Sequence, residues 1–157
     1  MSDNTLILND KGIKQLLKAF KGNQPMARIG VLGDKAARAK DVKGKGINNA
    51  MVLAFAEYGT TKSPIRSVLR VPLSQFLMTY LERSGAFDDA TLKAVIASGS
   101  LIPWLKKVGI TAEVVVQDAF NTGGFGAWPP SDMTNKKNHQ TLVETQQLRN
   151  SITSDAK

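Results

Sequence analysis

Every stretch of this chain with helical apolar spacing is short and is closed by glycine or proline, and that punctuation constrains the fold more than any single motif. Ile13, Leu16, Leu17 and Phe20 fall at i, i+3, i+4 and i+7, one apolar stripe behind a capping Asp10, and Gly22 stops the helix after Lys21. Pro25 breaks the chain, and Met26–Leu32 reads as a short strand ending near Gly33. Asn48 or Asn49 caps a helix over 50–58, with Gly59 at its C′ position. Pro64 and Pro72 bracket an extended Ile65–Val71. Pro72 also suits the first turn of a helix with Leu73, Phe76, Leu77, Tyr80 and Leu81 on its apolar face and Gly85 at its end.

Asp88 or Asp89 opens a further helix through Ala97, with Leu92, Val95 and Ile96 facing inward. Pro103 is expected to interrupt the chain after that helix, leaving Trp104–Val108 as a short helical piece. Residues 109–120 admit two periods. Val114, Val115 and Val116 favour a strand by propensity, whereas Ile110, Val114 and Asp118, with Val115 and Ala119, keep helical spacing. Residues 121–131 are a glycine- and proline-rich loop, and Gln140–Asn150 reads as a short helix. There is no internal repeat and no linker. The pattern predicts one α+β domain over residues 1–157, with a small antiparallel sheet packed with several helices and long flexible loops. A sheet that small is expected to complete its packing against neighbouring subunits.

A chain of 157 residues buries enough surface to fold without disulfides or metals. It has no cysteine, which removes thiolate ligands and cysteine nucleophiles. His139 is the only histidine, in the polar stretch Lys136–Gln140, and reads as an exposed surface residue. Asp88 and Asp89 are adjacent and point apart on a helix, so capping is their expected role. Glu57, Glu82, Glu113 and Glu144 stand alone. Gly123-Gly124-Phe125-Gly126 lacks the dinucleotide fingerprint, and Gly44-Lys45-Gly46 lacks the spacing of a phosphate-binding P-loop. The inventory predicts no enzyme, no cofactor and no metal. The first residues, Met1–Leu8, lack a signal-peptide pattern, and no stretch reaches a membrane span, so a soluble protein made in the cytoplasm is expected.

The formal net charge of +8 favours an acidic partner. Lys35, Arg38, Lys40, Lys43 and Lys45 gather in residues 34–46 against only Asp34 and Asp41, a flexible basic loop. This loop either is simply solvated or meets phosphates, and a small basic nucleic-acid-binding module is the alternative functional class. Trp128, followed by Pro129 and Pro130, has no array of aromatic and basic residues around it. It reads as an anchor packing its loop onto the domain or onto a subunit rather than as a base-stacking platform.

Two blocks carry a family pattern. Val52–Thr61, with Glu57, Tyr58 and Gly59, is followed by Pro64-Ile65-Arg66 and Arg70. Phe125–Pro130, with Trp128 and Pro129, is followed by Thr134, Lys136, Lys137 and then Leu142–Thr153, with Thr145, Leu148, Arg149 and Ser151. In order and spacing these blocks resemble the tail-completion and neck proteins of tailed bacteriophages, including the Mu-type virion morphogenesis proteins. The chain departs from the pattern at Gln146, where the family usually has glycine, and at Val68, where it usually has an aromatic.

The resemblance implies a structural virion protein acting in tail completion and head–tail joining at the neck. It implies a homohexameric ring around the DNA path, assembled in the host cytoplasm. Its partners would be copies of itself, tail terminator or tail tube and head connector proteins, and genomic DNA without sequence preference, with no membrane. It also favours helix over strand at 110–120. Within the blocks, Gly59 permits a sharp helix exit and Pro64 and Pro72 stiffen the connection. Arg66 would fork onto a carboxylate, with Glu57 as the candidate, or onto backbone carbonyls. Thr145 would cap the last helix, and Leu148 and Ile152 would anchor it.

Overall fold

The computed structural model describes residues 10–21, 25–36, 47–61, 63–130 and 146–157. The described elements run in chain order as helix α1 (Asp10–Lys21), strand β1 (Ala27–Val31), a 3-10 turn (Gly33–Ala36) and helix α2 (Asn49–Tyr58). Helices α3 (Arg70–Arg83), α4 (Asp89–Ser98), α5 (Ile102–Thr122) and α6 (Gln147–Ser151) come next, and strand β2 (Ile152–Ala156) is last. The architecture is α+β, as expected.

The sheet joins the second and the last of these elements. β1 and β2 pair antiparallel, with Arg28 opposite Asp155 and Gly30 opposite Thr153. Met26 and Lys157 extend the ladder by exchanging backbone hydrogen bonds of 2.8 and 3.1 Å. Arg28 and Asp155 add an ion pair at 2.5 Å, but both side chains are more than two-fifths exposed, so its contribution is small.

Helix α5 is the centre of the molecule and packs on α3, α4 and both strands. Pro103 does not interrupt a helix here; it begins one. Proline is tolerated in the first turn because its missing N–H has no intrahelical partner there. One helix of 21 residues therefore replaces the short piece and the ambiguous segment expected from sequence. The valine run is helical because Ala112, Val115, Val116 and Ala119 sit on one buried face, where tertiary packing overrides strand propensity. Gly109 is buried within α5. A Cβ there would lie 2.7 Å from Ser154 Oγ, so glycine is what lets β2 cross the helix this closely.

The core cluster draws Ala56 from α2, Val68 from the connection to α3, Val116 and Phe120 from α5, Leu148 from α6 and Ile152 from β2. Ile29, Val31, Val52, Leu73 and Trp128 pack around it. The stacking of α3 on α5 is fixed by a polar pair, the Tyr80 hydroxyl donating to Asp118 Oδ2 at 2.8 Å. That bond, together with burial and the nearby negative charge, raises the Tyr80 hydroxyl above the ordinary tyrosine value.

Several boundaries differ from the sequence reading. α3 starts at Arg70, so the segment from Ile65 bends into a helix before Pro72 rather than staying extended to it. Asp88, not Asp89, caps α4, its side chain accepting from Thr91 N at 2.8 Å. Leu92 points outward at 49% exposure, while Val95 is buried and Ile96 half-buried. Asn48 caps α2, accepting from Met51 N at 2.8 Å. The last described helix begins at Gln147, and residues 140–145 of the expected helix lie outside the described residues. Of the basic loop, Gly33–Ala36 is a 3-10 turn and residues 37–46 lie outside the described residues. Among the described residues no helix is long and apolar enough to cross a membrane.

Candidate assembly site

Glu57 and Arg66 of the first family-like block and Trp128, Pro129 and Pro130 of the second gather around the segment that leads into α3. Glu57 lies in the last turn of α2 and is buried, at 7% exposure. A carboxylate at a helix C-terminus is disfavoured by its own helix dipole, so its stabilisation must come from elsewhere. Glu57 Oε2 accepts from Ser67 Oγ at 2.8 Å, and Oε1 accepts from the backbone N–H of Leu69. Leu69 is the N-cap residue of α3, whose N-terminal dipole favours the carboxylate. Ser67 Oγ also accepts from Val71 N at 2.9 Å, and Pro72 has no N–H to satisfy. One acid and one hydroxyl thus serve N–H groups at the start of α3 and tie it to the end of α2.

The connection between the two helices is tightly turned. Gly59 takes φ +72°, and a Cβ there would stand 3.0 Å from Ile65 Cγ1 and 3.2 Å from the Ser63 carbonyl oxygen. Thr60 and Ser63 pair as an antiparallel bridge, and Arg66 N donates to Ala56 O at 2.8 Å. Pro64 is exposed on this turn.

Arg66 does not pair with Glu57. Its Nε donates to the Pro129 carbonyl oxygen at 3.2 Å and its Nη2 to that of Pro130 at 3.0 Å. The second block is therefore held by the first. Glu57 is already occupied by Ser67 and Leu69, and two consecutive proline carbonyls match the guanidinium fork. Trp128 completes the join. Its Nε1–H donates to the Ser67 carbonyl oxygen at 3.0 Å, and its ring stands edge-on to Phe120 at 5.6 Å between centroids. Gly124 makes room, since a Cβ there would collide with the indole. Trp128 is thus an anchor within the domain.

The C-terminal part of the pattern reaches the same core. Leu148 and Ile152 are buried, and Ser151, also buried, donates to Leu148 O at 2.7 Å. Arg149 Nε donates to Gln117 Oε1, and Gln117 Nε2 donates back to Arg149 O at 3.2 Å, clamping α6 to α5. Gln146 adopts φ +39°, the left-handed region that glycine occupies without cost. Thr145 lies outside the described residues, as do His139, Arg38, Lys40, Lys43 and Lys45. Lys35 is exposed in the 3-10 turn, and its carbonyl oxygen accepts from Asn49 Nδ2 at 3.1 Å.

Two partners in this network escape a reading of the sequence. Ser67 carries a readable signal, a serine just ahead of a helix with proline in its first turn. Gln117 carries none, because its role depends on α6 folding back across α5. The part of the site open to a partner is apolar. Met51, Phe55 and Tyr58 fall at i, i+4, i+7 along α2, each more than two-fifths exposed. Among the described residues no group of three or more His, Cys, Asp or Glu side chains is placed to hold a metal ion. Compared with protein-family models, curated proteins and solved structures, the chain matches none of them.

Proposed function

We propose that this chain is a structural virion protein of a tailed bacteriophage, acting in tail completion and head–tail joining as a ring around the DNA path. The observation that carries the reading is the join between the two family-like blocks. Arg66 on the Pro129 and Pro130 carbonyls and Trp128 on the Ser67 carbonyl link segments more than sixty residues apart in sequence. These contacts give residues of both blocks a common structural role, and that is what supports the reading.

The role is assembly and not catalysis, in keeping with a chain that has no cysteine and one histidine. The exposed α2 face of Met51, Phe55 and Tyr58 supplies apolar area for one side of a ring-closing contact, in which each protomer uses two different surfaces. The net charge of +8 suits a ring whose lumen carries DNA, with Lys35 and the lysines and arginine of residues 38–45 meeting phosphates without reading sequence. Neighbours in the assembly would be tail terminator or tail tube and head connector proteins.

The test is deletion of the gene, then electron microscopy of the lysate. The reading expects DNA-filled heads and separate or unstable tails. Normal infectious virions would end it. A standalone nucleic-acid-binding module is the second reading, favoured by the charge, and it requires binding to duplex or single strands that weakens steeply with salt.

A further inference from the structure

We infer that strand β1 pairs edge to edge with β1 of a second copy of this chain, joining two small sheets into one of four strands. This contact does not depend on the phage reading, and it is distinct from the α2 contact proposed for the ring.

In an antiparallel ladder the N–H and C=O of one residue point to the same side, and the side alternates along the strand. Met26 and Lys157 exchange both of their bonds, so Arg28 and Gly30 also turn their backbone groups toward β2. Ala27, Ile29 and Val31 turn theirs away. Among the described residues none of these outward groups has a hydrogen-bond partner, from α2 or from elsewhere. Ile29 and Val31 pack against the core, yet both are only half-buried, as an open edge requires.

The opposite edge of the sheet is blocked. On β2 the same alternation turns Ile152 and Ser154 outward, and both N–H groups are taken. Ile152 N donates to Arg149 O at the end of α6, and Ser154 N donates to Glu113 Oε1 on α5. β2 also lies close against α5 at Gly109. A second copy can therefore extend the sheet through β1 alone, and the free strand it brings is again β1.

The sequence of β1 suits this self-pairing. A twofold axis at Ile29 sets Ile29 opposite Ile29 of the second copy, Ala27 opposite its Val31 and Arg28 opposite its Gly30. Each pair of outward residues can exchange two main-chain bonds. Arg28 meets a residue with no side chain, and its guanidinium is already paired with Asp155 of its own sheet, so no like charges face each other. The strand contains no proline, lysine or inward-facing charge, the devices that keep open edges apart. A two-stranded sheet is marginal by itself, and pairing doubles it.

The test uses the full-length protein. Light scattering on a dilution series is expected to show pairs that separate on dilution. Amide hydrogen exchange, read by NMR at both ends of the series, is expected to slow at least about tenfold at Ala27, Ile29 and Val31 in the paired form. Arg28 and Gly30, already bonded to β2, should change little. Ala27→Pro removes an outward N–H without breaking a bond inside the chain. It is expected to raise the dissociation constant at least about tenfold and to leave the melting curve of the dilute protein unchanged. If Ala27→Pro does not fold, the exchange result decides. A monomer at every concentration would overturn the inference. So would an oligomer of any size whose Ala27, Ile29 and Val31 amides exchange as fast as in the monomer, a result that leaves the ring through α2 standing. A folded Ala27→Pro chain that pairs as tightly as the parent would overturn it equally.

Discussion

Replacing Glu57 by alanine should cost more stability than any exposed acidic residue of the chain. The carboxylate accepts two hydrogen bonds in a buried setting, from Ser67 Oγ and Leu69 N. A hydrogen bond to a charged group contributes about 1.5–3 kcal/mol, and a donor stranded in the interior costs about 1–3 kcal/mol. Ser67 can rotate its hydroxyl toward another acceptor, but the Leu69 N–H is fixed by the start of α3. The expected loss for Glu57→Ala is therefore about 3–5 kcal/mol, which for a chain of this size lowers Tm by roughly 10 °C or more. Glu57→Gln keeps one acceptor and turns the other into a donor facing a donor, so it should lose about 2–3 kcal/mol. Urea unfolding with a double-mutant cycle against Ser67→Ala isolates the pair, with an expected coupling of about 1–2 kcal/mol. A loss within about 0.5 kcal/mol, as at an ordinary surface position, would mean that Glu57 does not hold the start of α3.

Gln146→Gly should raise stability by about 0.5–1 kcal/mol, because φ +39° strains a residue with a Cβ, and a lower urea midpoint would contradict this. Gly109→Ala should destabilise by about 1–3 kcal/mol through its clash with Ser154, and the added change Ser154→Gly should recover part of that in the same unfolding assay. Arg66→Lys should loosen residues 129–130, since an ammonium cannot fork onto two carbonyls, and limited proteolysis should cut there faster than in the parent. Asp155 is held below the ordinary carboxylate value by Arg28, and Asp88 by hydrogen bonds from Thr91. A carboxyl with a depressed folded value stabilises above its unfolded value and loses that contribution as pH falls through the folded one. Stability should thus drop on the acid side below about pH 4, and Asp88→Asn, which keeps the cap, should flatten that drop in unfolding curves taken across pH.

Helices closed by strong local chemistry are legible in the sequence. Asn48, Gly59, Gly85 and Asp88 end or begin their helices by side-chain and glycine geometry that needs no distant partner. The strand β1 is legible from its flanking proline and glycine. What local pattern cannot supply is anything decided across the fold. Pro103 reads as a breaker until the chain before it turns, and then it is a helix start. Leu92 fits an inward position by spacing, yet it faces a groove that α1 only partly covers. The partner of Arg66 depends on residues 63 and 64 positions away, beyond any spacing rule, although backbone carbonyls are among its expected targets. No local rule foretells the left-handed backbone of Gln146, a residue with a Cβ in a conformation that favours glycine.

An electron cryomicroscopy reconstruction of intact virions would test the proposed place of this chain at the head–tail junction. The expected density is a ring of this fold between tail and head connector, with the α2 face of Met51, Phe55 and Tyr58 against a neighbouring protomer and Lys35 toward the lumen. Density for the neck fully explained by other chains, with this one absent from the particle, would contradict it.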